Sequence, residues 1–174
     1  MARPVKQGID YFPLGVGFLQ DIKIRRIMRA CGRESISVII SLLSNIYRND
    51  GYYLLWDKDM PFIIADEIDV SEDTVTSVVE KSIEVGFFSE DVFKQYNVLT
   101  SPGIQQRFFT AISRRNEIKC KKHLLKVDVS SYSNVVIVDA DSESVDDNSI
   151  NSHQSTQSKV KESKGKNTNK RDIS

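Results

Sequence analysis

The chain has 174 residues, 40% of them apolar, with 24 basic and 24 acidic side chains and two cysteines. That length suits one domain rather than two, and a formal charge of zero supplies no global field that demands a nucleic-acid or membrane partner. Two cysteines, Cys31 and Cys120, exclude a disulfide framework and fit a reducing cytoplasm.

The opening Met1-Ala2-Arg3-Pro4-Val5-Lys6 has no apolar stretch behind its charges, so no signal peptide is expected. No apolar run approaches a membrane span, which predicts a soluble protein without a membrane partner. Charge is segregated along the sequence. Residues 21–33 hold five basic groups and one acid, residues 57–73 seven acids and one lysine, and residues 107–126 seven basic groups and one acid.

Gly8 to Leu14 reads as an extended arm whose aromatics dock on the body, within an arm spanning residues 1–20. Asp21 starts a short helix with Ile24, Ile27 and Met28 at helical spacing, ending near Gly32. Arg25, Arg26 and Arg29 lie largely off that stripe. Ile36, Ile39, Ile40, Leu43, Ile46 and Tyr47 then follow a 3, 4, 7 pattern, widened by Val38 and Leu42, as a central buried helix does. Asn49-Asp50-Gly51 stops it, and Tyr52 to Trp56 predicts a strand.

Asp57 is placed to cap a helix with Pro61 in its first turn and Phe62, Ile63 and Ile68 on its buried side. Ser71 caps the next, where Val75, Val78, Val79 and Ile83 form one stripe and Gly86 ends it. Two short helices joined by a tight turn form a helix-turn-helix. Phe87-Phe88 predicts a second strand, residues 89–97 a polar excursion, and Val98 to Thr100 a third strand. That order, with the strand before the helix pair, is winged-helix order.

Pro102 begins a last, basic helix expected over 102–126, with Ile104, Phe108, Ala111 and Ile112 as its stripe. The fold class expected is therefore mainly α with a small β-wing, a winged helix-turn-helix domain over 1–127. Residues 128–174 are read as a low-complexity, disordered tail, in which Val135 to Val138 is a brief apolar run with the makings of an edge strand.

Catalytic signals are few. His123 and His153 have no nucleophile beside them, and there is no Gly-rich phosphate loop or dinucleotide fingerprint, so no enzyme and no cofactor are expected. Cys120-x-x-His123 has ligand-like spacing but no matching pair, so no metal is expected. The best candidate surface is basic: Lys23, Arg25, Arg26, Arg29 and Arg33 with Arg107, Arg114, Arg115 and Lys119, residue types that neutralise phosphates. The second helix of the pair offers Thr76, Ser77 and Lys81. It also turns Glu72, Asp73, Glu80 and Glu84 outward, which opposes entry into a major groove flanked by phosphates.

Several stretches together carry a resemblance. They are Ala2-Arg3-Pro4-x-Lys6-x-Gly8-x-Asp10-Tyr11-Phe12-Pro13, Ile46-Tyr47-x-x-Asp50-Gly51-Tyr52-Tyr53, Trp56-Asp57, Ala65-Asp66-Glu67 and Gly86-Phe87-Phe88. Leu99-Thr100-Ser101-x-Gly103-Ile104-Gln105-x-Arg107 with Arg114-Arg115 completes the set. Over roughly residues 2–122 the chain resembles a phage and prophage family with an N-terminal domain of unknown function. That domain is similar to the winged-helix N-terminal domain of the replication-initiation protein DnaD and of phage replisome organisers. The resemblance implies a cytoplasmic role, in a bacterial host, in initiating replication of phage or mobile DNA. DNA contacted through its backbone, a helicase or its loader, and a homo-oligomer are the partners it suggests. The alternative is a protein–protein module that docks on a replisome component without binding DNA. Residues 128–174 lack the second helical domain of longer relatives, so a short form, a truncated form or a fragment is expected.

Overall fold

The centre of the structure is a helix that is buried on almost every side. In this computed structural model, which describes residues 7–115 and 117–139, helix α2 (Ser35–Arg48) carries Val38, Ile39, Leu42, Leu43, Ile46 and Tyr47 at 1% exposure or less. So broad an apolar face needs cover from several directions. Helix α1 (Ile22–Cys31), α3 (Met60–Ile68) and α4 (Glu72–Glu84) all pack against it, and α1 also packs on α4.

Local chemistry sets the boundaries. The Asp21 carboxylate accepts from the Lys23 and Ile24 amides and opens α1, and Gly32 at φ +83° closes it. Asp57 accepts from the Asp59 and Met60 amides ahead of α3. Ser71 accepts from the Thr74 amide at the start of α4, with Glu72 and Asp73 in its first turn. The arm is anchored as expected: the Ile9 amide donates to the Tyr47 carbonyl at 2.7 Å, and the Phe12 ring stacks on Tyr47 at 4.7 Å. Arm residues 1–6 lie outside the described residues.

The expected three-stranded ribbon is a two-stranded one. Strands β1 (Leu54–Leu55) and β2 (Val98–Leu99) pair antiparallel, Leu54 opposite Leu99. Phe87-Phe88 is a turn instead of a strand, because Gly86 at φ +72° bends the chain and Phe88 drops into the core. The supposed polar excursion forms helix α5 (Glu90–Tyr96), with acids in its first turn, Val92 buried, and Asn97 at φ +54° ending it. Helix α3 packs Ile68 against the core as expected, but the rest of its buried face differs from the one expected. Met60, Ile64 and Ala65 face inward, while Phe62 and Ile63 are 57% and 46% exposed, because the helix begins at Met60 and its stripe counts from there.

The last helix is shorter than expected and the body longer. Helix α6 is Pro102–Ile112, and the lysine-rich stretch beyond it forms strand β3 (Ile118–Lys121), with Ile118 and Cys120 buried and Lys119 turned out. Alternation of apolar and charged residues favours a half-buried strand over a helix. Strand β4 (Val135–Val138) pairs parallel to β3, Ile118 opposite Val135. Between them Leu124 and Val129 enter the core and Tyr132 lies against Phe109. The folded body therefore extends past residue 127. The remainder of the expected tail, residues 140–174, lies outside the described residues.

Gly51 fixes the junction between α2 and β1. Its φ is +86°, and a Cβ there would collide with the Phe108 ring. Gly51→Ala should therefore destabilise the fold by about 2–5 kcal/mol through positive-φ strain and overpacking, read as a lowered urea midpoint with an unchanged slope.

Candidate functional site

Helix α1 presents two faces. Ile24 and Ile27 are buried, while Lys23, Arg25, Arg26 and Arg29 are exposed, as is Arg33 just beyond the helix. None of the four arginines has a carboxylate within ion-pairing distance among the described residues. Lys23 is tied to backbone, its Nζ donating to the Gly86 carbonyl at 2.6 Å. The result is a helix face whose guanidiniums have no ion-pair partner among the described residues, seated on the buried Ile24 and Ile27.

Packing of α1 on α4 brings two of the expected groups together. Arg26, Arg29 and Ala30 of α1 line an open cleft with Lys81, Glu84 and Val85 from the end of α4. Lys81 Nζ donates to Glu84 Oε1 at 2.6 Å, so the one lysine of that helix already has an acid beside it. Glu84, expected to face outward only as a repulsive charge, is a member of this cleft. Its i, i+3 spacing from Lys81 was the available signal. Thr76 is half-buried and Ser77 exposed on the same helix, and the Cys31 thiol donates to the Ser77 carbonyl at 3.6 Å.

The other expected basic groups are dispersed. Arg107 on α6 donates through Nε to the Tyr47 hydroxyl at 2.9 Å and lines a separate cavity with Phe12, Leu14, Phe18 and Phe87. Arg115 donates to the Gly8 carbonyl at 2.7 Å and is half-buried, a clamp on the arm in place of the free side chain expected. Arg114 and Lys119 are exposed, Lys119 on β3 rather than on a helix.

The Cys120 and His123 pair is divided by burial. Cys120 is fully buried in β3, and burial pushes its thiol up to about 12. His123 packs against Tyr96 with ring centroids 4.7 Å apart. Among the described residues no three potential ligands gather in a metal-binding group, and no helix is long and apolar enough to cross a membrane.

Together these features define a small, mainly helical domain whose first helix carries exposed basic side chains along its outer face. Residues 11–104, more than half of the chain, match the Lin1244/Lin1753-like N-terminal family, and the chain belongs to it. It is 37% identical over 117 residues to the uncharacterized phage-related protein Lin1244/Lin1753 of Listeria innocua. That alignment takes in 67% of this chain and 38% of the relative's length. No solved structure matches.

The two cysteines differ enough in burial to be told apart chemically. Ellman's reagent should titrate one thiol, Cys31, in the native protein and both after denaturation. Rapid reaction of both in the native state would show that β3 is not packed as described.

Proposed function

We propose that this is a non-catalytic, DNA-binding accessory or initiator domain in the replication of phage or prophage DNA, acting in the cytoplasm of a bacterial host. The reading rests on one observation: Arg25, Arg26, Arg29 and Arg33 are exposed and free of described carboxylates on one short segment. Guanidiniums arranged so neutralise backbone phosphates and release counterions. Membership of a phage-related family supports the setting. We read the fold as a winged-helix variant, with α3 and α4 as the helix pair, β1 and β2 as the ribbon, and α5 standing where a wing hairpin would lie.

A second reading has its own observation. The arm and the start of α1 expose Tyr11, Leu14, Val16, Leu19 and Ile22, an apolar series of the sort that marks a protein interface. On this reading the domain oligomerises, or docks on a replication protein such as a helicase or its loader, without touching DNA.

Anisotropy of a labelled duplex across a salt series, alongside light scattering, separates the two. The first reading expects log K to fall with log salt at a slope of about −3 or steeper, since each neutralised phosphate contributes roughly −0.9. Arg114→Glu should weaken binding about three- to tenfold if the turn that follows α6 joins the surface. Arg115→Glu is unsuitable as a test, because it would also release the arm. No binding at about 50 mM salt, with a discrete dimer or tetramer in scattering, would replace the first reading with the second.

A further inference from the structure

The acids on α4 decide how a nucleic acid would have to approach. Glu72, Asp73, Glu80 and Glu84 are all exposed on that helix, whereas its lysine points toward α1. A duplex laid along the outer face of α4 would meet four carboxylates, so docking of this helix in a major groove is opposed by charge. The seam between α1 and α4 is different. Arg26 and Arg29 are one turn apart and share a face of α1, and across from them Lys81 and Glu84 are one turn apart on α4. Three cationic groups converge there on a cleft of about 410 Å³.

We propose that this seam seats a phosphodiester of a nucleic-acid backbone on Arg26, Arg29 and Lys81, and that Glu84 is a built-in competitor the phosphate displaces from Lys81. The proposal rests on the nucleic-acid reading above and deepens it. The Lys81–Glu84 pair is suited to such an exchange. The Glu84 side chain is 67% exposed, so solvent weakens the attraction, and the carboxylate regains full hydration when it is released. A phosphate in its place gains charge-assisted hydrogen bonds from two guanidiniums as well as the ammonium. Because these contacts are to backbone, binding has no sequence preference.

The seam has an internal reporter. Cys31 sits at its edge, its thiol against the Ser77 carbonyl and within the fields of both Lys81 and Glu84. Burial, the largest influence, holds its pKa above the ordinary thiol value. Cys120 is buried and does not interfere.

The experiment compares the full chain with Arg26→Ala/Arg29→Ala, Glu84→Gln and Glu80→Gln, using labelled duplexes of two unrelated sequences and a polyglutamate peptide. All four positions are solvent-facing, so thermal melts should show each variant folded. The double alanine variant should bind both duplexes at least about tenfold more weakly, with its salt slope shallower by about 2. Glu84→Gln should bind about three- to tenfold more tightly. Glu80→Gln, which removes the same charge outside the cleft, should change affinity less than twofold. Saturating duplex should slow alkylation of Cys31 in the parent chain but not in the double alanine variant.

If the parent chain binds duplex while the cleft variants and Cys31 alkylation are unaffected, the seam is not the seat and the broader reading stands. Equal effects of Glu84→Gln and Glu80→Gln would reduce the competitor to general charge. No binding of duplex by the parent chain at low salt would overturn both the seam proposal and the DNA-binding reading on which it rests, and cleft-dependent capture of polyglutamate in its place would assign the seam to an acidic protein segment.

Discussion

Tyr47 is the side chain on which the outer parts of this fold converge. It lies near the end of α2 with 1% exposure, yet two separate segments, the arm and α6, are tied to it. Its carbonyl accepts from Ile9, its ring stacks on Phe12, and its hydroxyl donates to the Ile104 carbonyl while accepting from Arg107. The arm and α6 are thus fixed to the central helix through one residue. Burial raises the pKa of the phenol, which keeps the hydroxyl neutral and able to donate. A phenylalanine there would keep the packing but leave Arg107 and the Ile104 carbonyl without their partner.

Two further polar ties perform the same service elsewhere in the core. Glu67 of α3 accepts from Ser41 and Asn45 of α2, and Arg48 donates to Asn45 beside it, so α2 and α3 are locked in register by a small network at the edge of the core. Gln105, fully buried on α6, donates to Thr100 and to the Leu124 carbonyl and accepts from the Lys126 amide. Its amide therefore satisfies the backbone of the segment that follows β3. Buried polar groups of this kind cost stability unless all are paired, and pairing allows only one arrangement of the elements they join. The position of α1 against α4, and hence of the basic cleft, follows from both helices being packed on an α2 that is itself held in this way.

Much of this was legible from residue pattern. The two helices with clean stripes and side-chain caps, α1 and α4, lie where Asp21, Gly32, Ser71 and Gly86 put them. The errors arose where a local signal was ambiguous. Phe87-Phe88 has strand propensity, but the pair follows a positive-φ glycine and Phe88 serves the core from a turn. Ser89-Glu90-Asp91 was an available N-terminal helix signal, overshadowed by the expectation of a wing. At Ile118 to Lys121 the period-two alternation competed with a lysine-rich composition suggestive of a helix end. Val135 to Val138 was legible as an edge strand, but its partner was not, because β3 was read as a helix end and the connection between the two offers only isolated cues such as Val129 and Tyr132. For the site, the exposed arginines of α1 were readable from helical spacing alone. The engagement of Arg115 with Gly8 was not, since it joins residues more than a hundred positions apart.

The neutrality of the whole chain conceals the electrostatic property that bears on function. Net charge governs long-range attraction, and here it supplies none, so any anion is recognised only at short range, within roughly a Debye length of about 8–10 Å. At that range α1 and the exposed side of α4 have opposite signs although they are packed together. A rod of phosphates is therefore attracted along one line and repelled beside it. Such an arrangement limits orientation more strongly than affinity: a uniformly basic domain can settle on nucleic acid in many poses, whereas alternating strips accept few. On the proposed nucleic-acid reading, the acids of α4, unfavourable if that helix is assumed to read bases, would form a boundary that confines the ligand to the α1 side.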